Sequence, residues 1–221
     1  AMIAVMGPEA RRLLQPLTDV DLSNEAFPFG ASREIDLGFG YVRATRVTYV
    51  GELGWELLIP AEMAHHVWNL LRDAGAPHGL RPVGYHAMNS LRLEKGYRDY
   101  GHDIDNLDGV HDVGLAFTCD LTKEFNGKPH VLEAAARPRS RRLVSVFVED
   151  KDAWPQPGAP VLRDGRVVGD LRSVTYGHAL GGFVGLAMVD GPRWSRDDFA
   201  VDVGGRTYRA EASPVSYTHL R

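Results

Sequence analysis

The chain has 221 residues, 44% hydrophobic, 24% charged and 9% aromatic, with a formal net charge of -4. That length builds one large domain or two small ones, and the interspersed charges leave no basic face for nucleic acid. Cys119 is the only cysteine, which excludes an internal disulfide and a cysteine-based metal cluster.

No apolar run approaches the roughly 18 residues of a membrane span. The N-terminus lacks the basic start and long apolar centre of a secretion signal. A cytoplasmic location is therefore expected. Met2 to Met6 reads as a strand entered in mid-fold, which suggests a fragment. Gly7-Pro8 breaks it, and Pro8 to Leu17 follows as a short helix with proline in its first turn. Ile35 to Leu37 and Tyr41 to Tyr49 read as strands around Gly38-Phe39-Gly40. Gly54 to Ile59 is a further strand, ended by Pro60. Ala61 to Ala74 is an amphipathic helix with Met63, Val67, Leu70, Leu71 and Ala74 as its stripe, stopped by Gly75. Pro82 to Tyr97 predicts another helix, ended by Gly96 so that Tyr97 can point into a cleft. Asp99 to Val113 is rich in turns, and Lys128 to Ala136 is a short helix. Past Arg137-Pro138 come short strands: Leu143 to Val148, Pro160 to Leu162, Val167 to Asp170, Phe183 to Val189, Phe199 to Val203 and Tyr208 to Ala210. Asp164-Gly165 and Gly204-Gly205 are hairpin turns, and this half reads as a small antiparallel β-barrel or sandwich.

The most informative stretch is Tyr49-Val50-Gly51-Glu52-Leu53-Gly54-Trp55-Glu56. It places a ring and a carboxylate either side of a glycine-bearing turn, just before the apolar strand end Leu57-Leu58-Ile59. A carboxylate entering a buried strand is costly unless something pairs with it. Glu56 alternates with Trp55 and Leu57 and so faces away from them. Its oxygens can accept two parallel N–H bonds from a flat amidine-like edge, and a phenol can stack or donate beside them. Spacing alone favours a simpler reading, in which Glu56 pairs with a hairpin arginine such as Arg43 or Arg46. The run from Ser90 to Tyr97 likewise reads first as a solvated helical face with a glycine cap. Asp99, Asp103, Asp105, Asp108 and Asp112 lack the ligand order and closing glutamate of a calcium loop. His65 and His66, adjacent on a helix, point apart, and no metal site is expected. There is neither a phosphate-binding glycine loop nor a nucleophile elbow.

Taken in order, Tyr-x-Gly-Glu-Leu-Gly-x-Glu at 49–56, Asn-Ser-Leu-Arg-Leu-Glu-Lys-Gly-Tyr at 89–97 and Gly-x-Asp at 101–103 resemble the folate-binding aminomethyltransferase family. That family includes the T-protein of the glycine cleavage system and the C-terminal halves of dimethylglycine and sarcosine dehydrogenases. Met6 to Ala10, Val113 to Leu115 and a degenerate Lys-x-Phe-x-Gly-Lys at 123–128 extend the likeness, which runs to about Pro214. The segment His86 to Arg92 is similar to the dehydrogenase-linked branch: Met88 stands where the free T-protein carries an arginine that contacts the folate tail. The Lys-Gly-Cys-Tyr signature of relatives in iron–sulphur assembly is absent.

The resemblance implies an α+β fold, with an incomplete folate-binding region at 1–137 and a C-terminal antiparallel β-barrel at 138–221. It implies that Glu56 grips the pterin edge of tetrahydrofolate, and that Tyr49 and Tyr97 line the hole where the pterin lies. The family's catalytic aspartate belongs to a segment before Ala1, so no catalytic residue is assigned. FAD is expected only on an upstream domain. The ending Ser216 to Arg221 does not match the family. The implied function is the tetrahydrofolate-binding half of an FAD-dependent dehydrogenase of dimethylglycine or sarcosine, a fragment inactive alone. It would pass a one-carbon unit to tetrahydrofolate, and its partners would be the methylated glycine, folate and the FAD domain. Alternatives are a T-protein-like aminomethyltransferase, a related folate-dependent demethylase, and a non-catalytic folate-binding module.

Overall fold

The computed structural model describes residues 1–191 and 198–214, so the unusual ending at Ser216 to Arg221 lies outside the described residues. Two compact units are present, Ala1–Gly84 and Tyr85–Arg221. The architecture is α+β, with a barrel in the second unit.

The first unit contains β1 (Met2–Met6), α1 (Ala10–Leu14), β2 (Ser32–Leu37), β3 (Gly40–Thr45), β4 (Gly54–Leu58) and α2 (Ala64–Gly75). Its strands form an antiparallel sheet in the order β1-β4-β3-β2. Period-two alternation sorts the side chains. Ile35, Leu37, Val42, Ala44, Trp55 and Leu57 turn to one face, where Leu13 and Leu14 of α1 and Val67 and Leu71 of α2 cover them. Trp55 sits within this layer, meeting Phe27 edge to face at 6.2 Å. The guanidinium groups of Arg11 and Arg46 lie 5.9 and 5.8 Å from its ring centre. The opposite face, with Met2, Tyr41 and Leu58, is exposed. The expected strand from Tyr41 to Tyr49 ends at Thr45, because the chain then leaves the ladder for an irregular excursion.

The second unit contains α3 (Tyr85–Glu94), α4 (Lys128–Ala136), β5 (Arg141–Val148), β6 (Pro160–Arg163), β7 (Arg166–Gly177), β8 (Gly182–Asp190), β9 (Phe199–Val203) and β10 (Arg206–Pro214). The six strands close into a barrel in the order β10-β5-β8-β7-β6-β9. Asp164 and Gly165 both have positive φ (52° and 73°), as do Gly204 and Gly205 (63° and 86°). This is the backbone that two-residue hairpin turns require. Val144, Val146, Val161, Leu171, Ala187, Val189, Phe199 and Val201 fill the interior.

A second apolar layer lies outside the barrel wall, where Leu93 of α3 and Val113 pack with Leu143, Val184, Leu186 and Met188. β8 is thus buried on both sides, which explains its unbroken apolar run. The serine of α3 nearest the barrel, Ser90, donates its hydroxyl to the Tyr176 carbonyl at 2.8 Å. Glu94 accepts the Ala179 N–H at 3.0 Å. Compactness groups residues 85–137 with the barrel.

β7 is far longer than the expected Val167 to Asp170, because its alternation is interrupted. Leu171 pairs with Ala187 and Ser173 with Leu186, leaving Arg172 as an extra residue. Such a bulge resets which face each side chain takes. Leu171 and Val174 face inward, while Arg172 and Ser173 both reach outward.

Candidate functional site

β3 ends at Thr45 and β4 begins at Gly54, so residues 46–53 form one excursion that departs from and returns to the sheet, and Glu56 is the β4 residue that pairs with Thr45. Tyr49 lies on the excursion. The Thr48 hydroxyl accepts the N–H groups of Val50 and Glu52, each at 3.2 Å, and fixes the tip. Gly54 lets the returning strand pass close to β1: a Cβ there would sit 2.6 Å from Met6 Cγ and 2.7 Å from the Val5 carbonyl.

Glu56 occupies the central strand between Ala4 of β1 and Thr45 of β3, on the face opposite Trp55 and Leu57. It is half-buried. The simpler expectation, a hairpin arginine as its partner, is overturned. Arg43 pairs with Glu34 at 2.7 Å. Arg46 donates to the Phe27 carbonyl and to Asn24 Oδ1, each at 2.7 Å. Burial, and then the neighbouring charge of Arg11, pull Arg46 below the ordinary arginine range. Among the described residues Glu56 makes no side-chain hydrogen bond or ion pair. A carboxylate so placed keeps both oxygens available for a planar pair of N–H donors.

Tyr49, on the excursion, and Glu56, in the strand that follows it, belong to the first unit, whereas Tyr97 belongs to the second. It lies just after α3. Gly96, at φ 67°, caps the helix: its N–H bonds the Leu93 carbonyl at 2.9 Å, and the Tyr97 N–H bonds the Arg92 carbonyl at 3.0 Å. These paired bonds are the mark of a glycine-capped helix end.

The solvated face expected for Ser90 to Tyr97 is overturned here. Arg92 is 1% exposed and Asp103 0%. The Arg92 guanidinium donates to Asp103 Oδ2, to Asn89 Oδ1 at 2.7 Å, to the Tyr97 carbonyl at 2.9 Å and to Ser173 Oγ at 3.0 Å. Asp103 Oδ2 also accepts the Asp99 N–H at 2.8 Å. Asp108 lies beside this pair. It accepts from Arg172 at 3.0 Å, and Arg141 stands 3.1 Å from its other oxygen and 3.7 Å from Asp112. Asp103, Asp108 and Asp112 are thus counterions to buried or half-buried arginines. Residue order alone missed Arg92 because its partners stand 11 and 81 positions away. The one available signal was the Gly-x-Asp triplet just past the helix.

No helix among the described residues is long and apolar enough to cross a membrane.

Comparison with known proteins agrees with this architecture. The GCVT N-terminal domain pattern matches residues 1–123, and the glycine cleavage T-protein C-terminal barrel domain matches residues 141–216. The 4-methylaminobutanoate oxidase (formaldehyde-forming) of Paenarthrobacter nicotinovorans is 40% identical over 215 residues, covering 96% of this chain and 26% of that protein. Mitochondrial sarcosine dehydrogenase of Homo sapiens is 38% identical over 222 residues, covering 96% and 24%. The chain therefore spans about a quarter of the length of these curated relatives. The crystal structure of glycine cleavage system aminomethyltransferase T from Bartonella henselae superposes with a TM-score of 0.83 at 22% identity, covering all of this chain and 60% of that one, which establishes the fold. The chain belongs to the glycine cleavage T-protein family.

Proposed function

We propose that this chain is the tetrahydrofolate-binding portion of an FAD-dependent dehydrogenase of an N-methyl amino acid such as sarcosine or dimethylglycine. The observation that carries the folate assignment is Glu56: a half-buried carboxylate on a central strand, with no protein partner among the described residues. Its two oxygens match the adjacent amino and ring N–H groups of a pterin. Tyr49, on the excursion that precedes β4, is assigned the role of a phenol beside that edge. Tyr97 is assigned to the same ligand by family resemblance.

Tetrahydrofolate, when bound, supplies the amine that takes up a one-carbon unit. The residues of this chain bind it, orient it and shield it, so their contribution is proximity rather than bond-making. The dehydrogenase branch is supported by the identities of the relatives. It is also supported by Met88, half-buried on α3, which offers no charge to a folate tail. FAD belongs to a domain outside this chain.

Calorimetry of the full-length protein with tetrahydrofolate tests the first part: Glu56→Ala is expected to abolish measurable binding, and an unchanged affinity removes the assignment. Flavin bleaching by sarcosine and dimethylglycine tests the second. If neither substrate reduces the flavin, the substrate class falls while the folate assignment stands.

A further inference from the structure

Both backbone polar groups of Tyr97 are held by a single residue. Its N–H donates to the Arg92 carbonyl at 3.0 Å, and its carbonyl accepts from the Arg92 guanidinium at 2.9 Å. The carbonyl just before it, that of Gly96, accepts from Arg98 at 3.2 Å. Arg98 is itself anchored through two bonds to the Val113 carbonyl, at 2.7 and 3.1 Å. A residue just past a helix end ordinarily frays. Here two buried arginines fasten consecutive peptide groups.

The Arg92 guanidinium has little freedom of its own. Asp103, Ser173 and Asn89 each take a donor, and Ser173 is delivered by the bulge in β7. A buried ion pair of this kind contributes little net stability over an apolar replacement of similar volume, because desolvation offsets the attraction. Fixing one geometry is the better-attested use of such a pair. What this pair fixes is the peptide plane from which the Tyr97 side chain departs.

We propose that Arg92 is a positioning residue for ligand binding: held by Asp103 and Ser173, it clamps the backbone of Tyr97 so that the phenol keeps one orientation toward tetrahydrofolate. This rests on the reading that Tyr97 meets the folate. Asp103 acts one step further back, by orienting Arg92.

A double-mutant cycle on tetrahydrofolate affinity in the full-length protein, with thermal midpoints measured alongside, tests the proposal. Tyr97→Ala alone is expected to weaken binding roughly tenfold, the value of a contact near 1.4 kcal/mol. Arg92→Lys keeps the charge but loses the forked geometry, and is expected to weaken binding by a similar factor. The double variant should be no weaker than either single one, because the clamp has nothing left to orient. Losses that multiply to roughly a hundredfold would show that Arg92 acts independently of Tyr97 and overturn the proposal. So would an Arg92→Lys protein with unchanged affinity. If Arg92→Lys does not fold, Asp103→Asn in the same cycle replaces it, with the same expected and overturning results. Unchanged affinity in Tyr97→Ala alone would instead remove Tyr97 from the folate site, a distinct failure of the underlying assignment.

Discussion

The two sheets of this chain handle acidic side chains in opposite ways. In the first unit an open four-stranded sheet packs one face against α1 and α2 and leaves the other bare. On that bare side a half-buried glutamate has no partner among the described residues. In the second unit a closed barrel carries an outer layer in which Asp103 and Asp108 are wrapped by Arg92, Arg172 and Arg141. A single charge type thus serves two ends. Where the acid is enclosed and paired, it organises the protein's own backbone. Where it is sheltered but unpaired, its lone pairs are left for something else. The donors around them set these acids apart: Arg92 and the Asp99 N–H meet Asp103, and Arg172 meets Asp108.

That contrast can be broken most directly at Arg92. Arg92→Met should strand the Asp103 carboxylate in an apolar setting and destabilise the second unit by about 3–5 kcal/mol, read as a drop in the midpoint of denaturant unfolding. A loss below 1 kcal/mol would mean that Asp103 finds water and that the enclosure is looser than described. Ser173→Ala removes one donor–acceptor contact to the same guanidinium and should cost about 1–3 kcal/mol in the same measurement. The exposed analogue is the Arg43–Glu34 pair on the open sheet. Glu34→Gln should shift stability by less than about 1 kcal/mol, and a larger effect would erase the distinction between the two units.

Glu56→Gln sharpens the comparison from the other side. With no partner to lose, it should move the midpoint by less than about 0.5 kcal/mol, while folate affinity falls. The smallest effect is expected at Asp120, in an exposed turn. There the Thr122 hydroxyl and N–H both donate to Oδ1 and hold the carboxyl below its ordinary range. A group whose folded value is depressed stabilises above its unfolded value and loses that contribution as pH falls. Asp120→Asn should therefore flatten a slight acid-side slope in stability. An NMR titration of Asp120 at the ordinary carboxylate value would contradict this.

Much of the fold was legible because it is written in local periods. The alternation Trp55, Glu56, Leu57 assigned faces to β4, the stripe Val67, Leu71 marked α2, and Asp164-Gly165 announced a hairpin. The barrel was readable from short strands punctuated by turns. What escaped depends on distant partners. Nothing near Arg92 in the chain reveals that Ser173 will meet it, so a buried clamp passed for a wet helical surface. The same limit made Arg43 and Arg46 plausible partners for Glu56 until Asn24, Phe27 and Glu34 were seen to occupy them. β7 was cut short at Asp170 because its alternation fails at Arg172, and a pattern reader has no means to restart after the slip. Family resemblance supplied Tyr97 where spacing offered only a free helix end.

The extra residue at Arg172 carries a consequence for how this protein tolerates insertion and deletion. The surface turns at Asp164-Gly165 and Gly204-Gly205 can lengthen or shorten at small cost, since loop closure depends only weakly on length. Within β7 the outcome depends on which residue goes. Loss of Arg172 would restore unbroken alternation, with Ser173 outward and Val174 and Tyr176 still inward, at the cost of its bonds to the Asp103 carbonyl and to Asp108. Loss of Val174 would instead force either the Ser173 or the Thr175 hydroxyl into the oily interior. The bulge is thus the one place where this strand can change length by a single residue and keep its faces.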